Sequence, residues 1–561
     1  MGRGHAGELE RKRERKRDEG RDPTDRLRHP SRAWNTFDLV TSQSEAPPHT
    51  QQLVLPLEDF ASRDARGPGI ARPNRVFCNR NLKMAGISWV GFDMDYTLAI
   101  YDQPAMDDLS IRATIDKLIK RGYPDFIKTV PVSTQFPVRG LLIDKRFGHV
   151  LKMDRYKHVH KGYHGFRELT KEELRALYHS KKIRPATPRY HWIDTLYALS
   201  EVATYAALVD AMEKKGYAVD YARLFTDIRE CIDEAHRDGT ILDEVASNLP
   251  HFVHRDPNLA PTLHKLRSAG KKLFLLTNSR WAYTEKMMTY LLGGAMTEYP
   301  TWRNFFDVVI VAATKPIFFT EKRPLLERDG ETTRPAVAPL ERGKIYEGGN
   351  LQDFERMVGV TGDEILYVGD HIYGDILRSK KDSAWRTAMI MQELETEIAA
   401  YESCREDFEK IETLDEQRER LEDDLRYYQA RIKELTRHIE HRGSKEAPKE
   451  GPKEAPNGGT NGVSGAELEA DRMRFKRAVE RIRGKLRQIE AEITALERRT
   501  DLRFHPYWGS LLKEGAEQSS FGKQVDDYAC LYTSRVSNFL SYSPQQTFRS
   551  PRDVMAHEIG M

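Results

Sequence analysis

The chain has 561 residues, room for about two to four domains, with 39% apolar and 31% charged residues. A net charge of +3 speaks against a nucleic-acid binder held by bulk charge, and no apolar run reaches the roughly 18 residues of a membrane span. Cys78, Cys231, Cys404 and Cys530 are scattered and form no CxxC pair, so neither a zinc site nor a disulfide framework is expected, and a reducing, cytoplasmic setting fits.

Residues 1–70 are rich in charge and proline with little apolar periodicity, and read as a disordered tail. The opening stretch MGRGHAGELERKRERKRDEG has no apolar segment of a secretory signal. Ala6 stands where a myristoylation motif wants Ser or Thr.

Apolar runs then recur. ISWVGF leads into Asp93, KKLFLLTN into Thr277-Asn278-Ser279, FFDVVIVAATKP into Lys315-Pro316, and DEILYVGDHIYGD into carboxylates, with WRTAMIM soon after. Each run is short, continuous and rich in β-branched or aromatic residues, the pattern of parallel strands buried on both faces. Helical stretches such as APTLHKLRSAG and YTEKMMTYLL lie between them. This predicts an α/β fold, a doubly wound parallel sheet, over 71–104 and 251–392. Ligands of such sheets bind beyond the C-terminal ends of the strands. Asp93, Asp95, Thr277, Lys315, Asp370 and Asp375 are therefore expected in one crevice. The stretch 105–250 is mixed in character and too long for a crossover, so it is expected to form an inserted α+β cap for substrate.

After Gln392 the period changes. Ile411, Leu414, Leu421, Leu425, Tyr428, Ile432, Leu435 and Ile439 follow a 3-4 spacing with Arg418 in one slot, and Phe475, Val479, Ile482, Leu486, Ile489, Ile493 and Leu496 do the same. An antiparallel coiled-coil hairpin over 393–441 and 466–500 is expected, with a disordered low-complexity linker at 442–465. Residues 501–561 read as a helical segment returning to the core.

The strand-end residues suit work on phosphate. Asp93 can attack phosphorus, and Asp95 can protonate a leaving oxygen and then activate water. Two carboxylates beside a phosphate repel it unless a magnesium ion intervenes, and Asp370 and Asp375 can complete the ion's shell. Thr277 and the backbone N–H of Asn278 can hold phosphate oxygens, and Lys315 can offset the charge.

The order DxDxT (Asp93, Asp95, Thr97), then Thr277, then Lys315, then GDxxxxD resembles the haloacid dehalogenase-like hydrolases. Within that superfamily, RVFCNRNLKMAGISWVGFDMDYTLAIY, TNSRWAYTEKMMTYL, KPIFF, LYVGDHIYGDILRSKK, SFGKQVDDYACLY and MAHE resemble the cytosolic purine 5'-nucleotidases that prefer inosine and guanosine monophosphates. The resemblance implies Asp93 as the phosphorylated nucleophile and Asp95 as acid/base, its main-chain carbonyl on Mg2+. It implies Asp370 as a magnesium ligand, Asp375 as a residue that supports the ligands from behind or acts through water, and phosphate contacts from Thr277, Asn278 and Lys315. In FTDIRECIDEAHRDGT, Arg229, Asp233 and His236 share one helix face, and the resemblance implies a substrate-facing set, Arg229 and Asp233 toward base and sugar with His236 beside them. It makes Phe166 of HGF the ring that stacks on the purine, and it implies a homotetramer or dimer.

Three positions depart from the family: Arg167 replaces an asparagine, Arg237 a tyrosine and Leu242 a phosphate-contacting lysine. An aromatic in the last motif stacks on an effector in the family, and Tyr373 stands there; no regulation is inferred from it. The expected function is Mg2+-dependent hydrolysis of nucleoside 5'-monophosphates, with phosphotransfer possible through the same intermediate. A phosphatase for another small ester and a coiled-coil scaffold with vestigial activity are the competing readings.

Overall fold

The computed structural model describes residues 69–179, 183–443 and 464–552. The tail up to residue 68, linker positions 444–463 and the MAHE stretch lie outside the described residues.

The run that ends in Asp93 forms the strand Trp89–Phe92, which pairs in parallel with Lys272–Leu276 on one side and Ile365–Gly369 on the other. Val308–Val311 and Ile345–Gly348 continue the parallel sheet on one flank, Arg386–Ile390 and Leu531–Thr533 on the other. Antiparallel strands close the edges: Phe77–Cys78 at one, and the hairpin of Leu325–Asp329 and Thr332–Pro335 at the other. The result is a ten-stranded, largely parallel α/β sheet.

Alternate residues point to opposite faces of a strand, and here both faces are cores. Leu273, Leu275, Val309, Val311, Leu366 and Val368 pack into one apolar cluster. Their neighbours Phe274, Leu276, Val308, Ile310, Ile365 and Tyr367 pack into another. That is why these strands read as continuous apolar runs. Gly91 in the central strand leaves room for the Phe274 ring, which an added Cβ would meet at 2.0 Å.

The C-terminal segment differs from the helical expectation. Ser520–Tyr528 is a helix, but Leu531–Thr533 is a strand of the main sheet, and Thr547–Phe548 pairs with Leu82–Lys83. The apolar, aromatic and β-branched residues Leu531, Tyr532 and Thr533 favour a strand between two paired neighbours over another helical turn.

Between Tyr101 and Val253 the chain builds a second, antiparallel sheet. Its order is Arg167–Glu168, Val159–His164, His149–Met153, Leu141–Asp144, Tyr190–Ile193. Helices Gln103–Lys120, Leu199–Lys214 and Tyr221–Arg237 accompany it. Asp102 and Asp220 cap the first and third by accepting N–H groups of Ala105 and Arg223, each at 3.0 Å. Lys117 of the first helix pairs with Glu234 of the third at 3.1 Å.

Arg405–Gly443 and Gly465–Phe504 are long helices packed antiparallel. Leu414 meets Ile493 and Leu496 in one buried cluster, and Tyr428 meets Phe475 at 5.6 Å between ring centroids. Ser464 and Glu467 form a capping box that starts the second helix. Among the described residues, no helix is long and apolar enough to cross a membrane.

Candidate active site

Phe92 lies opposite Leu275 and Val368, so the chain leaves three central strands at one edge within a residue or two of each other. Asp93, Thr277 and Asp370 follow directly. The Asp93 N–H still donates to the Val368 carbonyl at 2.9 Å, which fixes its backbone to the sheet. Beyond it, the Met94 carbonyl accepts the N–H groups of Leu98 and Ala99 at 3.0 and 2.9 Å, closing a tight turn. Tyr96 takes φ 56° there. Such left-handed backbone is uncommon outside glycine and clusters at functional sites.

The sheet edge gathers buried charge. Carboxylate oxygens of Asp93, Asp370 and Asp375 lie within 4.8 Å of one another, all three residues buried. Lys315 Nζ stands between two of them, 2.9 Å from Asp93 Oδ1 and 2.7 Å from Asp375 Oδ1, and donates to the Tyr367 hydroxyl at 2.8 Å. The Tyr367 hydroxyl in turn donates a hydrogen bond to the Leu276 carbonyl at 3.0 Å. Gly369 permits this packing, since an added Cβ would sit 2.6 Å from the Asp375 side chain.

Lys315 is reached through a strained loop, with Ala312 at φ 48° and Thr314 at φ 56°. The Asn278 side chain clamps that loop. Its Oδ1 accepts the Lys315 N–H at 2.5 Å, and its Nδ2 donates to the Lys315 carbonyl at 3.0 Å. The Asn278 side chain is thus committed to Lys315. Thr277 is fully buried, and its hydroxyl accepts the Ser279 N–H at 3.1 Å.

Asp95 is held by hydroxyls. Ser279 donates to Oδ2 at 2.6 Å and Tyr101 to Oδ1 at 2.6 Å, while Tyr101 also meets the Tyr283 hydroxyl at 2.8 Å. Thr97 is buried beside it, its hydroxyl without a protein partner.

The electrostatics follow from crowding. Burial pushes the Asp93 carboxyl well above its usual range despite Lys315, and the other aspartates push it further. Burial, then Asp375, raises Asp370 to about 7. Burial also raises Asp95, against the hydrogen bonds from Ser279 and Tyr101. Burial works against the Lys315 charge, but Asp375 and Asp93 outweigh it and raise the ammonium pKa. One lysine cannot neutralise three buried carboxylates. A divalent cation on hard oxygen donors can, so the donor set fits Mg2+.

Residues that sequence reasoning passed over support this crevice. Arg139, with its guanidinium fully buried, makes a two-pronged pair with Glu393 at 2.7 Å and donates to the Asp370 carbonyl at 2.9 Å. No motif marks it. Ser279 and Tyr101 stood inside the quoted stretches, but spacing alone does not show that they reach Asp95.

The second sheet and its helices wall a cavity of about 820 Å³ beside the crevice. Arg229, Asp233 and His236 line it together, as does His371, the neighbour of Asp370. Tyr197 joins the two regions, its ring 4.8 Å from Tyr96 and 5.5 Å from His236. Arg229 is already engaged, 2.6 Å from His191 Nε2 and 3.4 Å from the buried Glu201. Burial pushes Glu201 up to about 7 and lowers the His236 pKa. Phe166 departs from its expected place. It does not line this cavity and packs edge-on against Phe136 at 5.1 Å, in a cluster with Tyr507 and Trp508. Aromatic edge-to-face packing holds it there.

The three departures from the family stay out of the cavity lining. Arg167 pairs with Glu173 at 3.0 Å, Arg237 donates to the Asp233 carbonyl at 3.1 Å, and Leu242 packs on the apolar core. Tyr373 lines the cavity and is 38% exposed.

A phosphatase-type crevice of this design has relatives. The profile of the 5' nucleotidase family matches residues 76–560, nearly the whole described chain. The chain therefore belongs to the 5'-nucleotidase family, and with it to the phosphoric monoester hydrolases. It is 28% identical over 497 residues to a 5'-nucleotidase domain-containing protein of Dictyostelium discoideum, covering 87% of this chain and 75% of that protein. It is 31% identical over 367 residues to human 5'-nucleotidase domain-containing protein 2, covering 60% of this chain and 69% of that protein. Among solved structures, a 2-haloacid dehalogenase from Pseudomonas syringae is similar at 16% identity, covering 54% of this chain and 86% of that one with a TM-score of 0.21, too loose a superposition to argue from.

Proposed function

We propose that this protein is a Mg2+-dependent 5'-nucleotidase that hydrolyses nucleoside 5'-monophosphates, purine ones foremost, through an aspartyl-phosphate on Asp93. The reading rests above all on one observation: Asp93, Asp370 and Asp375 converge within 4.8 Å around the strand ends, with Lys315 between two of them.

In the first step an Asp93 oxygen bonds to phosphorus while the ester P–O bond breaks. The departing nucleoside oxygen takes the proton of the Asp95 carboxyl, which burial keeps protonated to higher pH than a free carboxyl. In the second step water attacks the same phosphorus, Asp95 takes its proton, and the P–O bond to Asp93 breaks to release phosphate. Ser279 and Tyr101 orient Asp95 throughout. Thr277 and the Asn278 N–H face the phosphate, and Lys315 offsets its charge. Asp93, the Asp95 carbonyl and Asp370 would hold Mg2+, with Asp375 acting through water. The ion, when bound, neutralises carboxylate and phosphate charge and orients the ester. A nucleoside alcohol in place of water gives phosphotransfer.

Arg229, Asp233 and His236 are assigned to base and sugar because they share the neighbouring cavity. Phe166 is left out of that set. The proposal extends to a cytoplasmic homo-oligomer, a tetramer or dimer, which mass measurement in solution tests.

The decisive experiment is phosphate release from purine and pyrimidine 5'-monophosphates and sugar phosphates, with Mg2+ and with EDTA. Asp93→Asn is the control, expected to lose at least about 10³-fold in kcat. Turnover of purine monophosphates that needs metal and Asp93 supports the reading. Turnover of sugar phosphates alone keeps the mechanism and replaces the substrate. No turnover by folded protein overturns it.

A further inference from the structure

The antiparallel sheet carries a second group of metal-competent side chains, which shares no residue with the aspartate crevice. Asp154, His158 and His160 each present a ligand atom, and these atoms lie within 4.8 Å of one another. The expectation of no zinc site rested on the absence of cysteine pairs. It says nothing about imidazole and carboxylate donors.

The turn between His149–Met153 and Val159–His164 builds this group. Asp154 Oδ1 accepts the N–H groups of Tyr156 and His158 at 2.8 and 2.9 Å. The Asp154 N–H donates to the His158 carbonyl at 3.0 Å, and Lys157 takes φ 73° to close the turn. One carboxylate oxygen is thereby consumed and the other fixed. Oδ2 faces two imidazoles at once, 3.0 Å from His160 Nε2 and 3.4 Å from His158 Nδ1.

Those separations suit a shared ion. Tetrahedral ligands at zinc bond lengths of about 2.0–2.1 Å stand roughly 3.3–3.4 Å apart. A hydrogen bond explains the shorter contact, but 3.4 Å is long for a second one to the same oxygen. Access fits as well. The Asp154 side chain is 4% exposed, while His158 and His160 are 67% and 54% exposed, leaving coordination positions open to water.

We propose that Asp154, His158 and His160 form a second metal site, for a zinc-class divalent ion, with water completing the shell. Imidazole with carboxylate favours such an ion over Mg2+. Its role is a brace. The Asp154 carbonyl accepts the Ser520 hydroxyl at 2.9 Å, and the Arg155 N–H donates to the Gln518 carbonyl at 2.9 Å. Phe521, next in that segment, lies under the Arg139 guanidinium at 5.1 Å. An ion at the turn would stiffen the junction between the antiparallel sheet and the C-terminal segment.

The test is titration of metal-stripped full-length protein with Zn2+ in excess Mg2+, with Co2+ as the spectroscopic probe. The expected result is about one equivalent bound, a visible Co2+ band of tetrahedral type and a Zn2+-dependent rise in Tm. His160→Ala should weaken binding at least about tenfold, and His158→Ala with His160→Ala should abolish band and Tm shift. Asp93→Asn should keep all of them. Both histidines are largely exposed, so these variants are expected to fold. Binding that survives the double variant, or that appears only at millimolar Zn2+, overturns the proposal.

Discussion

The aspartate crevice and the cavity beside it share a wall but are held together differently. In the crevice, side chains from four strand ends are buried and interlocked. Lys315 alone touches Asp93, Asp375 and Tyr367. In the cavity, Arg229, Asp233 and His236 come from one helix, Tyr197 and Glu201 precede or open another, and His371 follows a strand of the main sheet. A parallel sheet delivers its strand ends to one edge whatever sequence lies between them. A cavity wall depends on how separate segments pack, and no single motif dictates that. The crevice is assembled by topology, and the cavity by tertiary fit.

If that contrast is right, damage in the crevice is severe and cooperative. Lys315→Met should have the largest effect. It removes the cation from between Asp93 and Asp375 and leaves buried carboxylates unpaired, a change that costs about 3–5 kcal/mol. The denaturant midpoint should fall accordingly and turnover should reach background. Normal stability with activity lost would show that Lys315 serves phosphate alone.

Asp95 comes next. Asp95→Asn should lower kcat by about 10²–10⁴-fold, the range for a general acid/base. Ser279→Ala tests the same group by pH. The Ser279 hydroxyl stabilises the charged carboxylate, so removing it raises the Asp95 pKa further. The alkaline limb of kcat/KM, where the free enzyme's acid loses its proton, should then move to higher pH. An unmoved limb would remove Asp95 from the proton transfer.

What could be read from the sequence follows the same division. The parallel strands were legible because burial on both faces makes them continuous apolar runs, and their ends named Asp93, Asp95, Thr277, Lys315 and Asp370. The strand Leu531–Thr533 was not legible, because three residues after a helix carry no period. Arg139 was invisible for another reason. Its partners Glu393 and Asp370 are more than two hundred positions away, and only folding brings them together. The place of Phe166 was not legible because the stretch that marks it says nothing about Phe136, which meets its ring, or about Tyr507 and Trp508, which pack on Phe136 in turn.

Arg139 supplies a milder test. It touches the Asp370 backbone and not the carboxylate, so it acts by positioning. Arg139→Met should raise the Mg2+ concentration for half-maximal activity by about 10–100-fold, as loss of a supporting hydrogen bond at a metal site does. The kcat at saturating Mg2+ should change much less. An unaltered Mg2+ titration with a lowered Tm would reduce Arg139 to a strut.

The smallest effect is expected at Phe166. To stack on a base, its ring would have to leave Phe136, which it meets at 90° and 5.1 Å. That contact is worth about 0.5–1.5 kcal/mol beyond simple burial. Phe136 is itself anchored, since the Trp508 indole N–H donates to its carbonyl at 2.6 Å. Phe166→Ala should therefore change KM for purine monophosphates by less than about twofold, while Arg229→Ala, on the cavity wall, should raise it about tenfold or more. A comparable KM rise in both variants would mean that substrate draws Phe166 out of its cluster. The cavity would then be only part of the recognition surface, and the line between a rigid crevice and an adaptable cap would have to be drawn through the aromatic cluster itself.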